Sequence, residues 1–292
     1  MRVDLAHLEA LLAAVDEGSF DGAAAILRIS PSALSQRIKA LETTAGQVLL
    51  QRTKPVRPTP AGLPYLQAAR QIDAVLSQTL AQVDAVAPGP PDVPIAINAD
   101  SLETWIIPAL ASIRDVANFH IFRDDQDHTA ELLRSGTVLA AVTSLADPIQ
   151  GCESHRLGVM RYLPVATPDF AARWFPHGLT PAALEKAPTV VFDRKDKMQH
   201  RLLHAYGVDP NIPARCYVPS ATAFVEAVAQ DMGWGLAPEI QIDEALATGS
   251  LIHLSDYVDV TLYWQQWKLE SPALTVLRRT LADAAAYALR IR

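Results

Sequence analysis

With 292 residues, half of them hydrophobic and a fifth charged, the chain holds enough apolar material for two domains, or three if one is split, and too much for wholesale disorder. The net charge of −7 excludes a uniformly basic nucleic-acid binder, but it is unevenly placed: Arg28, Arg37, Lys39, Arg52, Lys54 and Arg57 face only Glu42 within residues 28–57, and residues 93–292 carry an acidic excess. No apolar run reaches the ~18–20 residues of a membrane span, the start Met1-Arg2-Val3-Asp4-Leu5 forms no signal pattern, and Cys152 and Cys216 lie outside any metal spacing, so the chain reads as soluble, cytoplasmic and free of membrane, with reduced thiols.

Leu5, Leu8, Leu11, Leu12 and Val15 recur at helical spacing, which predicts a first helix over residues 4–16. Gly18 ends it, and Ser19 can cap a second helix whose Ala23 and Ala24 permit close helix packing. After the turn Arg28-Ile29-Ser30, Ser30 is a good N-cap and Pro31 suits the first helical position, where no N–H is needed. The third helix runs to about Thr44, with Leu34, Ile38 and Leu41 on one face. Ser32, Ser35, Gln36, Lys39 and Thr43 occupy the opposite face, with Arg37 on the flank. Short hydrogen-bonding side chains of this kind match the donors and acceptors of base edges in a major groove. An ordinary solvated helix face is the plainer alternative.

The next segment favours the groove. Residues 48–58 read as two extended pieces around a proline-containing turn, a basic wing whose Arg52, Lys54 and Arg57 would meet phosphates or the minor groove. Thr59 then caps a helix running to about Val86. Tyr65, Ala69, Ile72, Leu76, Thr79, Val83 and Val86 alternate in steps of four and three, a coiled-coil seam roughly 25 residues and 35–40 Å long. Packing on its own domain would satisfy part of such a seam. Dimerisation would satisfy all of it and pair two reading helices on a dyad-symmetric site.

This order of elements resembles the LysR-type transcriptional regulators. The resemblance rests on Phe20, Ala23, Ala24, Leu27, Ser32-Ala33-Leu34-Ser35, Ile38, Leu41-Glu42, Gly46, Leu49, Leu50, Arg52, Thr59 and Gly62. Two departures stand out. Pro31 replaces a glutamine common in the family, and the usual arginine after the second serine is displaced in Ser35-Gln36-Arg37.

Residues 87–92 break the helix as a linker. Strand-like pieces then alternate with helices. Strands are predicted at 94–98, 119–123, 139–143, 162–166, 189–192, 215–218, 235–237 and 261–264. Helices include 101–113, interrupted by Pro108, then 127–135 and 273–289. Such alternation predicts α/β architecture with largely parallel sheets. The fold class expected is an N-terminal all-α winged helix-turn-helix with a long linker helix, plus a two-lobed α/β effector domain like periplasmic binding proteins. The boundaries expected are 1–58 for the head, 59–87 for the linker and dimerisation helix, and 93–292 for the effector domain. Lobe I takes 93–166 and 268–292, and lobe II takes 167–267.

Within this region Asn98-Ala99-Asp100-Ser101-Leu102, Thr104-Trp105, Pro108-Ala109-Leu110, Phe192-Asp193, Ala223-Phe224-Val225 and Leu262-Tyr263-Trp264 are similar to the ArgP/LysG branch of the family. That resemblance implies a regulator sensing a basic amino acid (lysine, arginine or histidine) and controlling its exporter. Such a ligand needs donors for a carboxylate and acceptors for two cations. Candidate polar contacts are Ser101, Thr143, Ser144 and Ser220; candidate acids are Asp100, Asp124, Asp125 and Asp193. Trp105 suits either the core or stacking on the ligand. No cofactor or metal is implied. Double-stranded DNA and a second copy of the chain are the expected partners, the latter through residues 60–86, with a dimer of dimers and RNA polymerase as further candidates.

No phosphate-binding loop, nucleophile elbow or zinc-protease motif appears, and His200 and His204 are the only histidines at ligand-like spacing, so an enzyme is not expected. The alternatives are a LysR-type regulator of another small molecule and a ligand-independent architectural or replication-modulating DNA binder.

Overall fold

The computed structural model describes residues 3–83, 90–123, 126–269 and 271–291. Helix α1 (Leu5–Asp16) starts where the Asp4 carboxylate accepts from the Ala6 N–H, and α2 (Phe20–Ile26) where the Ser19 hydroxyl accepts from Gly22. Ser30 caps α3 (Pro31–Ala45), and Gly46 ends it at φ +69°, a left-handed geometry that favours glycine. Leu8, Leu11, Ala23, Ala24, Leu34, Ile38 and Leu41 are buried together, so the apolar face expected of α3 is its inner face.

Two short antiparallel strands, β1 (Leu50–Gln51) and β2 (Arg57–Pro58), form the wing. Glu42, the lone acid of the basic stretch, holds it to α3: its Oε1 accepts from the Leu49 and Leu50 N–H groups at 2.8 and 3.4 Å. The Thr59 hydroxyl donates to the Val48 carbonyl at 2.7 Å. A Cβ on Gly62 would lie 2.0 Å from the Leu49 carbonyl oxygen, so only glycine fits there.

Helix α4 (Leu63–Val83) follows. The predicted seam divides along its length. Leu66 and Ala69 are buried on the head, Tyr65 packs partly against it, and Arg70 pairs with Asp16 of α1. Ile72, Val75 and Leu76 are exposed. The side chains of Thr79 and Val83, and the whole of Val86, lie outside the described residues.

The larger region begins with β3 (Asp92–Ile97). The predicted helix over 101–113 is three pieces: α5 (Ala99–Ser101), a π-helical turn Leu102–Ile106, and α6 (Ile107–Ser112). The irregularity precedes Pro108, which falls in the first turn of α6 where its missing N–H costs nothing. Then come β4 (Asn118–Arg123), α7 (Gln126–Arg134), β5 (Ala140–Thr143), β6 (Cys152–Ala166), α8 (Pro168–Trp174), α9 (Pro181–Leu184), β7 (Thr189–Val191) and α10 (Met198–Ala205). The remainder is β8 (Arg215–Tyr217), α11 (Ala221–Ala229), β9 (Gly235–Pro238), α12 (Glu239–Thr248), β10 (Ile252–His253), β11 (Val258–Trp267) and α13 (Pro272–Ala288).

A seven-stranded sheet runs β10-β6-β11-β5-β3-β4, with β9 also paired to β6. Only β3 pairs in parallel, with β4 and β5; the other pairs are antiparallel, so this sheet is mixed rather than largely parallel. The cause is the length of β6 and β11, which pair antiparallel from Tyr162–Val258 to Cys152–Trp267 and carry the chain between the two halves. A separate parallel pair, β7–β8, lies in the second half. Leu274, Leu277, Leu281 and Ala285 bury α13 in the main core. Trp105 is also a core residue, 5% exposed. A smaller core gathers Leu163, Val165, Val190, Phe224, Val228 and Ala237. No helix of the described residues is long and apolar enough to cross a membrane.

Candidate functional site

Two sites emerge, one a basic exposed surface and the other a cavity lined by charges of both signs. On the head, Ser32, Gln36 and Lys39 are exposed on α3, with Ser35 and Arg37 partly exposed beside them. The Ser32 hydroxyl lies 2.9 Å from that of Ser30, so the N-cap and the first reading position share a bond. Arg28 holds φ +52° in the turn before α3, and Arg28, Arg52, Lys54 and Arg57 are exposed. The Arg52 guanidinium sits 5.2 Å from the centroid of the Phe20 ring, so α2 positions the wing cation. Among the described residues none of these cations has an acidic partner. Unpaired cations around a polar helix face suit a phosphate backbone flanking base edges.

The second site is a cavity of about 190 Å³, below the ~300–1,000 Å³ of drug-sized ligand pockets. Its walls come from the end of β3, the turn after β5, the middle of β6, the loop after β7, α10 and the start of α11. Asp100 faces in from α5 and accepts at 2.6 Å from the Tyr162 hydroxyl. Burial pushes its carboxyl up to about 6, against the pull of that bond, and the negative charges of Asp196 and Glu103 push the same way. Burial raises Asp196 too, resisted by the N–H groups of Met198 and Phe192. Two desolvated carboxylates therefore share one small cavity, and a cationic ligand would relieve both.

Asp193, Ser144 and Asp100 line the cavity as anticipated, and Asp196 and Asn98 join them unanticipated. Asp193 does a different job from the one expected of an acid there: its Oδ1 accepts from the N–H groups of Lys195 and Asp196, at 2.7 and 2.9 Å, and so shapes the loop that presents Asp196. In sequence Asp196 sits in the run Asp193-Arg194-Lys195-Asp196-Lys197, which reads as a solvated loop. Ser101 is fully buried and absent from the cavity wall, its hydroxyl without a partner among the described residues. Thr143 is buried and accepts from the Leu145 N–H at 3.2 Å. Ser220 caps α11 by accepting from Ala223. Asp124 and Asp125 lie outside the described residues.

The N-terminus of α11, a natural seat for a carboxylate, is already occupied. Glu103 Oε2, from the π-helical turn, accepts from the Thr222 N–H at 2.7 Å and from its hydroxyl at 2.6 Å. This clasp joins the two halves beside the cavity.

The family profile described as bacterial regulatory helix-turn-helix protein, lysR family, matches residues 5–63, and that of the LysR substrate binding domain matches residues 95–286. The lysine export transcriptional regulatory protein LysG of Corynebacterium efficiens is 45% identical over 291 residues, covering 97% of this chain and 98% of that relative. The crystal structure of ArgP from Mycobacterium tuberculosis aligns over all of both chains with a TM-score of 0.89 at 40% identity. Full-length LysG of Corynebacterium glutamicum with bound effector Arg aligns over 98% of this chain and 99% of that one, with a TM-score of 0.80 at 40% identity.

Proposed function

The chain belongs to the LysR family of bacterial helix-turn-helix regulators, and on that premise we propose that a basic amino acid, seated against Asp100 and Asp196, switches its grip on a dyad-symmetric promoter site. The observation that carries this reading is the pair of half-buried carboxylates sharing one small cavity, both raised by desolvation. Lysine, arginine and histidine bring a cation to the two desolvated acids, and the arginine held by the Corynebacterium glutamicum relative supports the choice.

On the head, Ser32, Ser35, Gln36 and Arg37 face bases, while Arg28, Lys39, Arg52, Lys54 and Arg57 lie mainly on phosphates. The head takes residues 1–58, the dimerising helix 59–87 and the effector domain 93–292, with lobe I at 93–166 and 268–292 and lobe II at 167–267. Exposed Ile72, Val75 and Leu76 on α4 support pairing with a second copy. Ligand in the cleft favours one arrangement of the lobes, and the linker helices convert it into the spacing of two heads. The protein acts in the cytoplasm as a regulator rather than an enzyme, contacts RNA polymerase from the promoter, and controls a basic-amino-acid exporter gene. Calorimetric titration with lysine, arginine, histidine and an acidic metabolite tests the effector. Binding of at least one basic amino acid, and not of the acid, is expected; heat from none of the three removes the effector reading and leaves the DNA-binding head intact.

A further inference from the structure

The cavity contains an amide with nothing to bind. Asn98 follows directly on β3 and is 2% exposed, yet it makes no side-chain capping bond to α5. Neither its Oδ1 nor its Nδ2 has a partner among the described residues, and the residue lines the same cavity as Asp100 and Ser144. A buried amide stripped of water and left unsatisfied is unfavourable, and native proteins rarely keep one without a ligand or water to complete it.

The neighbouring groups say what would complete it. Asp100 and Asp196 answer a cation. The main-chain end of an amino acid remains, and it joins an N–H donor to a carboxylate acceptor on a single carbon. A carboxamide is the complement of that pair, offering one acceptor and one donor side by side. The other seat for a carboxylate nearby, the N-terminus of α11, is filled by Glu103. Lys195, Lys197 and Arg201 also border the cavity, but all three are exposed, where a charge pair is weakened by water.

We propose that Asn98 reads the main-chain end of the ligand, with Nδ2 donating to the α-carboxylate and Oδ1 accepting from the α-ammonium, so that the site selects free amino acids over decarboxylated amines with the same cationic end. This rests on the basic-amino-acid reading above and adds the group that enforces it.

The test is calorimetry on the full chain with L-lysine against cadaverine and L-arginine against agmatine. The wild-type protein binds each amino acid roughly tenfold or more tightly than its amine, the order expected of hydrogen bonds to charged groups. In Asn98→Ala the amino-acid affinity falls by more than that of the amine, which keeps its ammonium and loses only the bond to Oδ1, so the preference disappears, and the unfolding midpoint does not drop. Asn98→Asp, a second variant that keeps the shape, disfavours the carboxylate further while retaining the amine. Three outcomes overturn the assignment alone: a wild type that binds amine and amino acid equally, an Asn98→Ala protein that keeps its preference, or equal weakening of both ligands. Loss of the preference in Lys197→Gln or Arg201→Gln, with Asn98→Ala still discriminating, also overturns it. A wild type that binds none of the four compounds removes the effector reading as well.

Discussion

The head holds exposed cations with no acidic partner among the described residues, while the cavity sets the desolvated acids Asp100 and Asp196 beside the exposed cations Lys195, Lys197 and Arg201. On the head, Arg28, Lys39, Lys54 and Arg57 stand in solvent, where an unpaired cation costs little and attracts a polyanion over a distance set by salt. In the cavity, Asp100 and Asp196 are desolvated and oppose each other, so their charge is costly and depends on pH. Exposure makes the first site tolerant and salt-sensitive. Burial makes the second selective and proton-sensitive. The same electrostatics thus suits an exposed surface to a long polyanion and a desolvated pocket to one small cation.

The sharpest way to separate the two regions is Gly62→Ala. A methyl group 2.0 Å from the Leu49 carbonyl must displace the wing from α4, at a cost of about 3 kcal/mol or more. Operator binding in a fluorescence assay should be lost while calorimetric ligand binding persists; loss of both would show that the two regions do not fold separately. Asp196→Asn acts on the other side. Ligand affinity should fall about 30-fold or more, as when one partner of a buried charge pair is removed, while the unfolding midpoint of the ligand-free protein rises or holds.

Arg52→Gln should weaken binding to every DNA sequence about tenfold at moderate salt and reduce the slope of log affinity against log salt by about 0.9. Gln36→Ala should instead change which base is preferred at one position of a half-site, by about 1–3 kcal/mol. If the two substitutions had interchangeable effects, the division between backbone and base contacts would fail.

The pH dependence follows from Asp100, whose carboxyl rises from its ordinary 3.8 to about 6 in the fold. A raised carboxyl binds its proton more tightly in the folded than in the unfolded chain. Its contribution to stability is therefore present at low pH and lost as pH climbs from about 4 to about 6, with no further change above. Cation affinity should rise over the same window, with proton release detectable by titration in buffers of different ionisation enthalpy. Asp100→Asn should flatten both trends. The smallest effect expected is that of Glu103→Gln, which weakens the clasp to Thr222 and should lower ligand affinity by a few-fold without touching DNA binding in the absence of ligand.

Much of the head was legible because its determinants are local. The Ser30 cap, Pro31, the apolar stripe of Leu34, Ile38 and Leu41, and the cluster of cations all act within a few residues of one another. What escaped was the role of Glu42, which looks like a lone acid in a basic run and is in fact the bolt between α3 and the wing. The linker seam was visible as a period, but the period alone did not say that Leu66 and Ala69 serve the head while Ile72, Val75 and Leu76 stay exposed.

The cavity was legible only in part. Asp100 was picked out because it lies near a strand end, a common place for a ligand contact, and the fold sets it on the cavity wall. Asp193 stood out because it follows a strand, and Asp196 did not, since nothing local marks it within a charged loop; the fold brings both to the cavity, with Asp193 Oδ1 accepting from backbone N–H groups and Asp196 desolvated. Asn98 opened the stretch that carries the resemblance but was not singled out as a contact, since an amide after a strand is usually a cap. By itself the sequence determined the reading helix, the basic wing and the family, because capping, helical period and charge clustering are interactions between near neighbours. Only the tertiary structure decided which acids face the cavity and which amide goes unsatisfied, because desolvation depends on walls brought together from residues as far apart as 98 and 260.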